Sequence, residues 1–241
     1  MSTATSHAEE VHTHAHDHEH EHHELNFWTK YIFSTDHKTI AKQYLISGIL
    51  WAFIGGSLSI IFRLQLGFPE MQLDWLRPIL GEWIDEGGKL DKEFYLALVT
   101  MHGTILVFFV LTAGLSGTFS NLLIPLQVGA RDMASPLLNM LSYWFFFLAG
   151  AIMFASLFLS TGPFSGGWTA YPPLSALSQA SAGSGAGMTM WTVSLVFFVV
   201  SVLLGGINYI TTVLNLRTKG MSLWRMPLTI WSFFVTAIIG L

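Results

Sequence analysis

Residues Phe94–Trp144, FYLALVTMHGTILVFFVLTAGLSGTFSNLLIPLQVGARDMASPLLNMLSYW, decide the fold of this chain. An apolar run long enough to cross a bilayer carries His102 near one end and closes on Asn121, Pro125 and the pair Arg131-Asp132. Proline lacks the N–H that a helix interior needs, so Pro125 reads as a helix stop. A second apolar run follows at once, with Asn139 in its first turn. A histidine inside hydrocarbon is costly to desolvate and normally binds or titrates something. Ala113, Gly114, Ser116, Gly117 and Ser120 make the lower half of the run small, so a neighbouring helix or a flat cofactor can approach the backbone.

The whole composition agrees with that stretch. Hydrophobic residues make up 52% of the 241 and charged residues only 11%, against about 25% charged in soluble domains. The expected fold class is therefore all-α, a polytopic transmembrane helical bundle. There is no cysteine, which excludes disulfides and thiolate metal sites. The acids are segregated. Seven of the fifteen lie in Glu9–Asp36 and seven in Glu70–Glu93, which leaves Asp132 as the sole carboxylate from Phe94 onward.

Residues 1–26 hold eight of the ten histidines, interleaved with Asp and Glu as HTHAHDHEHEHHE. That composition cannot build a core and reads as a disordered tail, with loose zinc, nickel or copper binding as the alternative. Residues 27–43 place Trp28, Tyr31 and Phe33 beside Lys30, Lys38 and Lys42, a pattern suited to a membrane interface. Residues 44–241 then divide into spans at about 44–62, 95–124, 136–160, 188–214 and 227–241. Arg63 ends the first span, and an arginine there either snorkels to the headgroups or turns inward to a ligand. In the polar connection 67–93, Trp75 and Trp83 suit the membrane surface. The connection 162–187 is uncharged and rich in Gly, Ser and Ala.

With the N-terminus inside, the inner segments hold seven Lys and Arg (Lys30, Lys38, Lys42, Arg131, Arg217, Lys219, Arg225) and the outer loops four. That asymmetry favours a cytoplasmic N-terminus. His102 then sits toward the outer end of the second span, roughly 28 Å along the helix from Asn121. His37, Tyr44, Asn139 and Asn208 approach the inner end, at the level of Asp132. Asparagines around one carboxylate can carry a proton relay with water, or they can simply glue helices together. His102 alone is either a metal or heme ligand or a packing histidine bonded to a carbonyl.

MHGTILVFFVL, NLLIPLQVGARDMASPLLNMLSYW, GGWTAYPPLS and GGINYITTVLNLRTKGM resemble subunit I of the heme–copper oxidases, and STDHKTIAKQYL resembles the segment leading into that family's first helix. The resemblance covers about Thr35 to Leu241, in order and in spacing. It implies a twelve-span bundle that reduces O2 to water at a heme–copper centre and pumps protons. His102 matches an axial ligand of the low-spin heme iron. Arg63 matches the arginine that contacts the formyl group where that heme is heme a. Asp132 matches the entrance of a proton channel, Asn121, Asn139 and Asn208 its polar neck, and Tyr44 and His37 residues near the same entrance. Trp168 and Tyr171 fall in the outer lid beside the heme propionates.

The ligands of the high-spin heme and of copper B, and the second ligand of the low-spin heme, would lie beyond Leu241, so no catalytic residue is expected within these 241. Gln65 stands where many members carry a glutamate that helps bind Ca or Na. The implied partners are subunit II, with a dinuclear copper centre if the donor is cytochrome c, subunit III, the donor itself and membrane lipid. Nucleic acid is not among them. The implied setting is a bacterial inner membrane. A quinol oxidase of the same family is the alternative. A proton-coupled secondary transporter and a non-catalytic heme-binding assembly subunit are further readings.

Overall fold

The computed structural model describes residues 26–177, 179–180 and 183–241. The histidine-rich stretch and its suggested metal binding lie outside them. Five helices organise the described chain: α1 (His37–Gly67), α2 (Lys92–Val128), α3 (Pro136–Ser156), α4 (Ala186–Asn215) and α5 (Leu228–Gly240). The first four are long and apolar enough to cross a membrane, while α5 is shorter. The chain is an integral, all-α membrane protein. α1 packs on α2, α3 on α4, and α5 closes against α4 and the end of α2.

Each start has a local cause. Asp36 caps α1 by accepting from the Thr39 N–H at 2.9 Å and from the Thr39 hydroxyl at 3.0 Å. This fixes the beginning at His37, seven residues ahead of the expected 44, because a cap outweighs the polarity of the residues that follow it. Asp91 caps α2 through the Glu93 and Phe94 N–H groups. Ser135 caps α3, with Pro136 at the first helical position, where its missing N–H is harmless. α3 ends at Ser156, not near 160, because residues beyond it turn back through a series of tight backbone bonds.

The faces of α1 follow the helical period. Ile46, Ile49, Leu50, Phe53 and Ile60 are exposed, whereas Tyr44, Gly48, Trp51, Gly55 and Phe62 are buried. The apolar stripe therefore meets lipid, and the small and aromatic residues meet the bundle. Gly48 is pressed against Gly114 of α2, and a Cβ on Gly114 would stand 3.0 Å from the Gly48 Cα and 2.7 Å from the Phe109 carbonyl. Backbone cannot yield as a side chain can. Gly114→Val is therefore expected to cost about 1–3 kcal/mol or more, read as a lowered Tm of the purified assembly. An unchanged Tm would remove Gly48–Gly114 from the contacts that hold α1 to α2.

Two features of α2 differ from the sequence expectation. Residues Ile105–Leu115 form a π-helix, in which each turn gains a residue and rotates the face presented by everything beyond it. Pro125 does not stop the helix, which runs on to Val128 and ends where Gly129 takes φ +75°. The carbonyl four residues before a proline loses its N–H partner, and here His37 Nδ1 donates to that carbonyl, on Asn121, at 2.9 Å. Trp83, in the connection before α2, is half-buried. It stacks on Phe94 with centroids 4.2 Å apart, and only a glycine at 162 leaves it room.

Candidate functional site

The sequence candidates gather at two ends of α2. At the first end, His102 Nδ1 lies 2.8 Å from the Gly55 carbonyl of α1. A carbonyl only accepts, so Nδ1 carries a proton, and in the neutral ring Nε2 then keeps its lone pair. The Phe62 ring meets the imidazole edge-on at 5.6 Å. Both contacts orient the ring. An imidazole held by its second nitrogen, with the first free, has the chemistry of a metal ligand.

The connection after α3 is laid along the same part of α2. The Gly167 N–H donates to Thr100 Oγ1 at 3.0 Å, and Trp191 Nε1 donates to Thr104 Oγ1 at 3.1 Å. Trp168 meets Phe108 edge-on at 6.0 Å, and its Cδ1 would lie 3.5 Å from a Cβ on Gly103. The structure thus brings Trp168 to the residue next to His102. Tyr171 is not brought there and stays 71% exposed. Arg63 follows Phe62 directly but is itself exposed, with no hydrogen bond or ion pair among the described residues. Gln65 uses both ends of its amide on the connection to α2: Oε1 accepts from the Leu90 N–H at 3.1 Å and Nε2 donates to the Pro69 carbonyl at 3.4 Å. A carboxylate could not do both.

At the other end, Asp132 is partly exposed and accepts from the Met133 N–H at 2.6 Å. No ion pair joins it to Arg131 among the described residues. The turn that carries it is latched to α4. Ser135 exchanges two bonds with the Asn208 amide, at 2.8 and 3.1 Å, and the Ala134 N–H donates to Thr212 Oγ1 at 2.9 Å. Asn208 therefore fixes the position of the acid's loop with its whole amide.

Asn121 and Asn139 are treated differently. Asn121 Nδ2 donates to the Gly117 carbonyl at 2.7 Å and to the Tyr209 hydroxyl at 3.3 Å, while its Oδ1 is buried without a partner. Asn139 is fully buried with neither side-chain atom bonded. Buried amide groups left open in this way have the capacity to bond internal water. The Asn139 carbonyl accepts from Ser142 Oγ, which lies 3.1 Å from the Tyr44 hydroxyl, with Ser201 Oγ 3.5 Å from that hydroxyl on the α4 side. A cavity of about 160 Å³ follows, lined by Tyr44, Ser116, Ser201, Tyr209 and Thr236 among apolar groups.

Sequence reasoning missed Ser142, Ser201 and Tyr209. The signal was present, since Ser142 stands three residues after Asn139 and Ser201 seven before Asn208, each on the same helical face as its asparagine. Among the described residues no group of three His, Cys, Asp or Glu could hold a metal ion.

A sequence profile described as "Cytochrome C and Quinol oxidase polypeptide I" matches residues 39–241. "Alternative cytochrome c oxidase subunit 1" of Bradyrhizobium diazoefficiens is 42% identical over 91% of this chain and 34% of its own length. "Cytochrome c oxidase subunit 1" of Synechocystis is 39% identical over 89% of this chain and 35% of its own. "Putative cytochrome c oxidase subunit 1-beta" of Streptomyces avermitilis is 36% identical over 86% and 33%. The chain thus spans about a third of the length of the curated relatives it matches.

Proposed function

The chain belongs to the cytochrome c and quinol oxidase polypeptide I family, and from that premise we propose that it forms the N-terminal part of the catalytic subunit of a proton-pumping terminal oxidase reducing O2 to water. The names of the three relatives favour cytochrome c over quinol as donor, with subunits II and III as partners in a bacterial inner membrane. The N-terminus is then cytoplasmic, by the distribution of Lys and Arg.

The observation that carries the reading is His102, whose proton is committed to the Gly55 carbonyl and whose Nε2 is left as a donor. Through Nε2, His102 would hold a porphyrin iron, and Gly103, without a Cβ, keeps the adjacent surface low. When bound, a low-spin heme supplies the electron relay of the subunit. Gly55 and Phe62 hold the imidazole in register for it, and Trp168 covers the neighbouring backbone against water. Arg63 is the candidate for the formyl contact of a heme a. Tyr171 belongs to the lid by sequence position alone. The high-spin heme and copper B require ligands from the rest of the parent subunit.

At the Asp132 end the residues hold and pass protons. Asp132 receives them at the surface, Asn208 keeps its loop in place, and the open amides of Asn121 and Asn139 hold the water that leads inward. Ser142, Tyr44 and Ser201 continue that line of hydroxyls.

The test is the visible spectrum of the purified parent assembly, which is expected to contain a low-spin heme band. Its absence removes the oxidase reading. Arg63→Met should shift that band, because an arginine hydrogen bond to a conjugated formyl withdraws electron density from the ring. A band at the parent wavelength would return Arg63 to a headgroup anchor.

A further inference from the structure

His37 and Pro125 are 88 positions apart, yet the structure makes them one device. Pro125 lies inside α2 and cannot donate to the Asn121 carbonyl, the acceptor four residues earlier in a regular helix. A buried carbonyl left unbonded is costly and loosens the turn that bears it. The nearby hydroxyls on α2 are already engaged, Ser120 with the Ser116 carbonyl and Thr118 with the Gly114 carbonyl. The group that reaches Asn121 comes from α1: the His37 ring, 3% exposed, donates from Nδ1 at 2.9 Å. No bond joins that ring to Asp36 among the described residues; Asp36 Oδ2 accepts from Thr39.

The bonded carbonyl belongs to the residue whose side chain is open. Asn121 Nδ2 is held by Gly117 and Tyr209, and its Oδ1 has no partner. We propose that His37 is a positioning residue for proton uptake: its Nδ1–H replaces the hydrogen bond that Pro125 withholds, and so keeps the Asn121 amide in place as an acceptor for the internal water path. The inference rests on the reading of that path given above. Nδ1 donates in the neutral ring of this tautomer and in the protonated ring alike, so the device does not depend on the charge of His37.

The experiment uses the complete oxidase with four variants: His37→Leu, His37→Asn, Pro125→Ala and the double variant His37→Leu/Pro125→Ala. Asparagine carries an N–H at the place of the imidazole Nδ1, and alanine at 125 restores the backbone N–H. Heme spectra and Tm report assembly, while O2 consumption and protons pumped per electron report the path. His37→Leu is expected to lower turnover about tenfold and to reduce pumping, with the spectra unchanged, as one unbonded buried carbonyl can. His37→Asn and the double variant should return both values toward the parent.

Parent-like pumping in His37→Leu overturns the proposal, as does a double variant no better than His37→Leu when Pro125→Ala alone behaves as the parent. If Pro125→Ala is itself defective, His37→Asn decides: rescue sustains the positioning role and failure overturns it. Asp132→Asn, measured in parallel, separates the two levels. Parent-like pumping there overturns the path itself, while non-additive effects of His37 and Pro125 on Tm would still report the bond.

Discussion

His102→Ala in the complete subunit removes the low-spin heme signal and blocks electron transfer into the protein. The expectation follows from what the ring does on each side. Nδ1–H is spent on the Gly55 carbonyl at 2.8 Å, which fixes the tautomer and aims the other nitrogen. Alanine removes the iron donor and leaves that carbonyl without its side-chain partner, so lost stability could be mistaken for lost ligation. His102→Asn separates the two effects, because its amide N–H can still reach Gly55 while nothing stands where Nε2 was. Both variants should lack the band, and the asparagine variant should recover most of the Tm. A folded His102→Ala protein with an unchanged low-spin spectrum would sink the assignment.

Asp132→Asn is expected to slow steady-state turnover by at least about tenfold, within the scale of one lost proton-transfer group, and to abolish pumping while the hemes still assemble. The amide keeps the shape of the carboxylate. Its oxygen can still accept from the Met133 N–H, and the Asn208 and Thr212 latches on the loop do not involve the substituted group. What is lost is the titrating charge alone. Asp132→Glu restores an acid one methylene further out and should retain much of the activity. Turnover and pumping at the parent level in Asp132→Asn would make this acid an ordinary loop residue, and the path would have to begin elsewhere.

Much of the frame was legible because hydrocarbon imposes harsh rules. A chain in lipid must bond its own backbone, so long uncharged runs can only be helices. The rarity of polar groups in such runs made His102, Asn121, Asn139 and Asn208 stand out. The order and spacing of their motifs pointed to the family that the relatives share. Helix beginnings were also there to be read, since Asp36, Asp91 and Ser135 are ordinary capping residues. Placing the start of α1 at 44 gave hydropathy a decision that belonged to the cap.

Other features were not legible, because they depend on partners distant in the chain. Pro125 reads as a stop until His37, from another helix, is seen to bond the carbonyl it frees. Nothing local in ILVFFVLTAGL announces a π-helix; the backbone contact of Gly114 with Gly48 belongs to two helices together. Trp83 suits a surface by type, yet it is half-buried, stacked on Phe94 and set against Gly162. Asn208 and Asn139 are the same residue in similar apolar surroundings, yet one is fully bonded to Ser135 and the other has no partner. By itself the sequence determined the helices, their approximate spans and the family, since apolar length and residue type are local properties. Only the tertiary structure decided which buried polar groups are satisfied and which stay open, because a hydrogen bond requires two groups within about 3 Å, and in this bundle they come from helices far apart in the chain.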